Sequence, residues 1–541
     1  MNVADAVGAA LVAHGADHAF GVVGSGNFHV TNAFVAAGGR FVPAVHEGGA
    51  ASMADGYART GGRLAVLTVH QGPGLTNALT GITEAAKSRT PLVVVTPEAT
   101  SPRSNFHLDL ARIAAAVGAG FVRVRAEHAL ADVAEACRTA VAGAGRTVVL
   151  ALPLDVQGKP VEPDEPAFEG SALAGVPDVS TLVEALGTAT RPVFVAGRGA
   201  TRPDARAALV DLADRCGALL AVSAAARGLF TGDPWNLDVS GGFATPLAAE
   251  LIGQADLVVA WGSTLNMWTT RHGRLIGPEA VVAQVDLDAD ALGVNRPVDV
   301  AVVGDAGTVA EACAAALGEQ VRPGWRTPAV RERIEAEGAW RSVSYVDDSG
   351  PDRIDPRTLS IALDDLLPAE RTVVIDSGNF MGYPSMFWSV PDRAGFLFTQ
   401  AFQSIGLGLA SALGAAVARP DRLTVAALGD GGFLMSAAEL ATAARLDSPL
   451  LVVVYDDAAY GAEVHHFGPE GHPLDTVLLG DRDLAAIARG YGCLGATVRT
   501  REDLEPVRAW LAGDRVRPLV VDAKVTSKHG SWWLEEAFRG H

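Results

Sequence analysis

Leu423-Thr424-Val425-Ala426-Ala427-Leu428-Gly429-Asp430-Gly431-Gly432 runs an almost wholly apolar stretch into a turn of three glycines around one aspartate. A short apolar run with no polar alternation reads as a strand buried on both faces, the habit of parallel sheets covered by helices. An acid at the C-terminal end of such a strand stands where open α/β sheets hold ligands. The N–H groups of a Gly-rich turn leading into a helix suit a diphosphate, and the carboxylate suits a hard cation. Taken alone, Gly-Asp-Gly is better read as an ordinary strand–turn–helix junction. The continuation shifts that balance. After a helix expected over Ala437–Arg445 and a second buried strand, Leu450–Tyr455, come Asp456-Asp457-Ala458-Ala459-Tyr460-Gly461. Asp457 lies 27 residues beyond Asp430. A crossover of that length returns the chain to the neighbouring strand end, where both carboxylates can reach one Mg²⁺.

The same rhythm of strand, glycine turn and alanine-rich helix recurs upstream. Leu64–Val69 and Pro91–Val95 flank a helix near Leu75–Lys87; Pro192–Ala196 and Asp256–Trp261 follow, then Thr372–Ile375. Alternating strands and helices predict an α/β protein of doubly wound parallel sheets. Two Pro-rich, charged stretches, Gln157–Pro177 and Glu319–Asp355, read as linkers. They divide the chain into expected domains at 1–160, 178–320 and 352–541.

Composition narrows the function. A net charge of −19 with no basic stripe excludes nucleic acid as the expected partner. The four cysteines are widely spaced, which fits reduced thiols. No export signal follows Met1-Asn2-Val3-Ala4-Asp5, and the apolar run Gly406–Ala418 is too short to span a bilayer. The expectation is a soluble cytoplasmic protein.

A second chemical segment lies in the first block: His46-Glu47-Gly48-Gly49-Ala50-Ala51, then Gln71-Gly72-Pro73-Gly74-Leu75-Thr76-Asn77. A Glu amid glycines and alanines between strand and helix is expected to be partly desolvated, which lifts its pKa; alone, it could equally be a structural acid at a helix start. Together, the two segments resemble the thiamine-diphosphate-dependent 2-oxo-acid decarboxylase and acetolactate-synthase-like family. The resemblance covers nearly the whole chain, including Val285-Asp286-Leu287-Asp288. It implies three domains: pyrimidine-binding, middle and diphosphate-binding. It makes Asp430, Asp457 and the Ala459 carbonyl the Mg²⁺ ligands, although the family usually carries two asparagines where this chain has Asp456 and Asp457. Glu47 becomes the acid that shares a proton with the aminopyrimidine, and Pro73 belongs to the turn lying against that ring. Ile405 becomes the bulky residue that props the two rings into their V shape and the Gln403 carbonyl receives the amino group, with Asn379, Gly431, Gly432, Tyr460 and Gly461 completing the cofactor set.

On the substrate side the resemblance points to Ser25, His70, His107 and Glu463. Glu463 matches a glutamate of pyruvate and indolepyruvate decarboxylases, and His70 a histidine of benzoylformate decarboxylase. Imidazoles suit a substrate carboxylate and can relay protons near neutrality. Gly197-Arg198-Gly199-Ala200 lacks the third glycine of a dinucleotide fingerprint, so the middle domain is read as structural, with FAD not expected though not excluded. The expected reaction is decarboxylation of a small 2-oxo acid through an enamine, with aldehyde release. The alternative is acetolactate-synthase-like carboligation to a second carbonyl compound. A flavin-dependent oxidase ranks third, and an inactive paralogue is disfavoured because Glu47 and Asp430 are both present. The family also implies a homodimer or homotetramer with each cofactor clasped between subunits.

Overall fold

The computed structural model describes residues 1–161, 177–319, 321–446 and 448–534. Three six-stranded sheets follow one another along these residues, with strands paired in parallel. The first contains β1 (His18–Gly21), β2 (Arg40–Pro43), β3 (Ala65–Thr68), β4 (Leu92–Glu98), β5 (Gly120–Arg123) and β6 (Thr147–Pro153). Their spatial order is β2-β1-β3-β4-β6-β5. The middle sheet contains β7 (Pro192–Ala196), β8 (Leu219–Val222), β9 (Asn236–Val239), β10 (Leu257–Trp261), β11 (Val281–Asp286) and β12 (Val300–Val303). Its order, β12-β11-β10-β7-β8-β9, is that of a doubly wound dinucleotide fold. The third sheet contains β13 (Arg371–Ile375), β14 (Phe396–Phe398), β15 (Leu423–Gly429), β16 (Leu450–Asp456), β17 (Leu494–Val498) and β18 (Leu519–Lys524). Its order, β14-β13-β15-β16-β18-β17, repeats that of the first sheet.

The expected strands are present, because continuous apolar runs can be satisfied only between two helical layers. Every residue of β4, β13, β16 and β18 is buried. Parallel pairing also puts all strand C-termini of a sheet on one edge. The loops leaving β1 to β4 therefore carry Ser25, Glu47, His70 and His107. Those leaving β13 to β16 carry Asn379, Gln403, Ile405, Asp430 and Asp457.

The first and third sheets meet through the helices Glu47–Gly61 and Gly408–Ala418, whose backbones touch. A Cβ on Gly56 would lie 2.2 Å from the Ser411 carbonyl oxygen, and one on Gly414 would lie 1.9 Å from that of Met53. One hydrophobic core runs from Leu67 through Ala54 and Leu413 to Val452.

Two sequence expectations change. The stretch 319–355 is more than a linker: it holds the helix Pro328–Glu337, capped by Thr327 and started by its proline. Val330 and Ile334 pack against the middle domain, and Arg333 forks onto Glu250 at 3.0 and 2.8 Å. The helix expected over 437–445 begins earlier, at Asp430. It tightens into a 3₁₀ turn at Ala437–Glu439 before Leu440–Ala443. The linker expected over 157–177 falls mostly outside the described residues. All four cysteines are buried and unpaired. Among the described residues no helix is long and apolar enough to cross a membrane.

Candidate active site

Asp430 opens the helix Asp430–Ser436 at the end of β15, 4% exposed. Its backbone neighbour Gly431 donates to its Oδ1 at 3.0 Å. Burial, reinforced by the charges of Asp457 and Asp456, pushes the Asp430 carboxyl up to about 8. Asp457, on the turn after β16, is pushed up to about 6 by burial, against an opposing hydrogen bond with the Asn379 side chain. Two acids held above their ordinary range at a strand-end crevice, Asp430 lifted further by the charge of Asp457, make a site a divalent cation relieves. Among the described residues no three or more His, Cys, Asp or Glu side chains are grouped as a metal site. A cation here would take two carboxylates and draw its remaining ligands from carbonyls, water or a bound phosphate, as Mg²⁺ commonly does.

The turn is built for close approach. Ala458 has φ +62°, a conformation rare without glycine. Ala459 is buried and bridges to Leu478. A Cβ on Gly461 would lie 2.1 Å from Asp457 Oδ2 and 3.2 Å from Asn379 Nδ2, so Asn379, Asp457 and Gly461 converge. The Tyr460 ring covers Gly431, and a Cβ on Gly432 would meet Asp376 Oδ2 at 2.4 Å.

Asp376 is a residue the sequence reading passed over. Fully buried after β13, it accepts from the backbone N–H groups of Ser377, Gly406 and Leu407. It thereby fixes the loop of Gln403, at φ +62°, and half-buried Ile405. Its only sequence signal was an acid directly after a buried strand. The same loop is held from the first domain. Glu84 accepts from Ala401 and Phe402 N–H at 3.2 and 2.7 Å, while Arg59 pairs with Glu84 and donates to the Phe398 carbonyl.

Glu47 opens the helix Glu47–Gly61 and is half-buried in the single chain. Asn77 Nδ2 donates to its Oε2 at 3.1 Å. The turn starting at Pro73 and the acid therefore form one unit, joined by a residue that the motif contained without an assigned partner. The backbone before Glu47 is held from the third domain. Buried Glu439 accepts from Val45 and His46 N–H at 3.2 and 2.9 Å. Glu439 lies nine residues along the helical stretch that Asp430 opens, roughly 13 Å of helix, so the backbone leading into Glu47 is anchored well away from Asp430 within one chain.

The substrate-side candidates fall into two groups. Gly26 N–H donates to His70 Nδ1 at 3.4 Å, and the His70 ring meets Phe106 edge-on at 5.6 Å, so His70 faces the loop of exposed Ser25. Exposed His107 donates from Nδ1 to the Ala99 carbonyl at 2.9 Å. Glu463, on the short helix Gly461–Phe467 of the third domain, is exposed and belongs to the other half. Beside it, burial and the charge of His529 hold His465 below the usual histidine range.

At the junction of β7 and β10, Gly197 and Gly199 donate their N–H groups to the Trp261 and Gly262 carbonyls at 2.8 and 3.0 Å. Arg198 reaches out of the middle domain to the Lys87 carbonyl.

Comparison with known proteins places the three domains. Residues 1–116, 179–313 and 376–523 match the N-terminal TPP-binding, central and C-terminal TPP-binding domains of thiamine pyrophosphate (thiamine diphosphate) enzymes. A sulfoacetaldehyde acetyltransferase of Rhodobacter capsulatus is 29% identical over 99% of this chain and 96% of its own. A protein of Pseudomonas aeruginosa described as a "Probable 2-ketoarginine decarboxylase" is 32% identical over 92% of this chain and 88% of its own. The fold matches that of a thiamine diphosphate-dependent 4-hydroxybenzoylformate decarboxylase from Rhodococcus jostii, with a TM-score of 0.80, 22% identity and coverage of 97% and 99% of the two chains. With all three domains matched and a relative above 30% identity along nearly the full length, the chain belongs to the thiamine-diphosphate-dependent enzyme family.

Proposed function

We propose that the protein decarboxylates a small 2-oxo acid with thiamine diphosphate and Mg²⁺ and releases an aldehyde. The observation that carries this reading is the Asp430–Asp457 pair, whose carboxyls are both held above the ordinary range at the edge of the third sheet. A buried acid pair of that kind calls for a cation, and the N–H groups of a Gly-rich turn opening a helix suit a diphosphate beside it. Asp430, Asp457 and the Ala459 carbonyl would hold the cation; Gly431, Gly432, Tyr460, Gly461 and Asn379 would line the diphosphate. Gln403 and Ile405, on the loop tied down by Asp376 and Glu84, would support the rings. When bound, the cofactor supplies the nucleophilic carbon and electron sink that let a 2-oxo acid lose CO₂.

The protein's own part is positioning and proton traffic. Glu47, kept in place by Asn77, would hold the proton exchanged with the aminopyrimidine, and Pro73 would lie beside that ring. His70, His107 and Ser25 would receive the substrate carboxylate and carbonyl, with Glu463 delivering a proton to the product carbon. Because the backbone leading into Glu47 is anchored by Glu439, well along the helical stretch from Asp430, we assign each cofactor to two chains of a homodimer, or of a homotetramer built from such dimers. Exposed apolar side chains fit this arrangement, since Phe28, Val45 and Phe106 flank one half-site and Phe402, Met435 and Phe467 the other. No flavin is assigned to the middle domain, where the N–H groups of Gly197 and Gly199 are already committed.

A second reading, transfer of the two-carbon unit to an acceptor in the manner of an acetolactate synthase, is favoured by the exposure of Glu463 and by the acetyltransferase relative. Incubation with thiamine diphosphate, Mg²⁺ and a panel of 2-oxo acids, with products identified by mass spectrometry, separates the two. Aldehyde as the main product supports the first and an acylated or hydroxyketone product the second. If no 2-oxo acid loses CO₂, both are excluded.

A further inference from the structure

Asp456, buried at the end of β16, adds a charge beside the cation turn. What offsets it lies on β18. Lys524, 3% exposed, places Nζ 2.6 Å from Asp456 Oδ2, 2.8 Å from Asp481 Oδ1 and 3.2 Å from Asp522 Oδ2, and also donates to the Arg482 carbonyl. The other Asp456 oxygen accepts from Ala458 N–H at 2.9 Å, which stabilises the left-handed conformation at that residue. The Ala458 carbonyl in turn receives the N–H groups of Leu479 and Gly480 at 2.8 and 3.2 Å. Lys524 thus grips both sides of the turn, through Asp456 on one and through Asp481 and Arg482 on the other.

We propose that Lys524 is a positioning residue for the cation site, matched to Asp456: it cancels the charge that Asp456 brings and holds the turn so that Asp457 and the Ala459 carbonyl are presented towards Asp430. This inference rests on the cation site proposed above. A buried ammonium facing three carboxylates is stable only as a set, and removing it leaves unpaired negative charge beside two further acids. The damage should then be reversed by removing the charge it balances.

The test is a double-mutant cycle of Lys524→Met and Asp456→Asn. The readouts are thiamine diphosphate binding by calorimetry across a Mg²⁺ series and the melting temperature of the cofactor-free protein. Lys524→Met is expected to raise the Mg²⁺ concentration for half-saturation about tenfold or more, the scale of lost support behind a metal ligand. Asp456→Asn alone should shift it only slightly, and the double variant should return it close to wild type. A lysine that served folding alone would lower the melting temperature in Lys524→Met and leave the Mg²⁺ dependence unchanged, which would overturn the proposal. Should Lys524→Met not fold, recovery of folded, Mg²⁺-dependent binding in the double variant supports the matched pair, and failure to recover overturns it. Wild-type protein that binds no thiamine diphosphate at any Mg²⁺ concentration would instead remove the cation site itself.

Discussion

The first and third sheets share one strand order, yet their C-terminal edges differ in chemistry. Around the third sheet the strand ends and loops gather the buried or half-buried acids Asp376, Asp430, Asp456 and Asp457: Asp376 holds the loop of left-handed Gln403, and Asp456 and Asp457 lead into left-handed Ala458. Around the first sheet the candidate-bearing loops pair the acid Glu47 with three imidazoles, His46, His70 and His107. On the proposed reading the same scaffold would serve as an anion-and-cation anchor at one edge and a proton-handling surface at the other, because a parallel sheet fixes where loops emerge and leaves their chemistry free.

Breaking the anchor should give the largest effect. Asp430→Ala is expected to abolish calorimetric binding of thiamine diphosphate with Mg²⁺, since a single half-buried carboxylate remains. Normal binding would mean the anchor is elsewhere. Breaking the proton-handling edge should leave binding intact. Glu47→Gln should retain cofactor affinity while turnover falls on the order of 10²–10⁴-fold, the usual cost of one acid/base group. Asn77→Ala sharpens the same contrast, with a smaller loss of turnover because Glu47 remains but is no longer fixed.

The tie between the two regions should read out as stability. Glu84 is buried and its pKa is raised by burial, yet it holds Arg59 and two backbone N–H groups. Glu84→Ala leaves the Arg59 guanidinium short of a partner and should destabilise the protein by about 3 kcal/mol in denaturant titration. An unchanged midpoint would show that the loop carrying Ile405 is held by Asp376 alone.

The smallest expected effect concerns Asp376, whose carboxyl burial pushes up to about 6 against the opposing backbone N–H groups. With the folded pKa above the unfolded value, the folded state binds the extra proton, so stability falls as pH rises through the interval from roughly 4 to 6. That loss is on the order of 2–3 kcal/mol for a shift of about two units. In Asp376→Asn the cofactor-free protein should lose this slope. A variant whose melting temperature follows pH as the wild type does would contradict the assignment.

Strands with unbroken apolar runs, such as Leu450–Tyr455, were legible in the sequence because a short apolar run bounded by turns fits a strand buried on both faces. The helix Pro328–Glu337 was not, since its charged outer face and flanking prolines resemble linker composition; the Thr327-Pro328 start and the Val330/Ile334 spacing were the available clues. At the site, Glu47, Asp430 and Asp457 stood out because their motifs are local. Asp376, Glu84 and Glu439 did not, because each acts on backbone N–H groups remote in sequence, which no spacing rule registers. Lys524 was hidden for the same reason, 68 residues from Asp456.

The central claim is that Glu47 of one chain and Asp430 of another serve one cofactor. Co-expression of Glu47→Gln and Asp430→Ala chains tests it directly, because a mixed dimer would contain one site with both changes and one with neither. With random pairing and two sites per dimer, decarboxylation should recover to about a quarter of the wild-type rate, from two parents that are each nearly inactive. A mixture no more active than its parents, despite verified mixed dimers, would contradict the shared site.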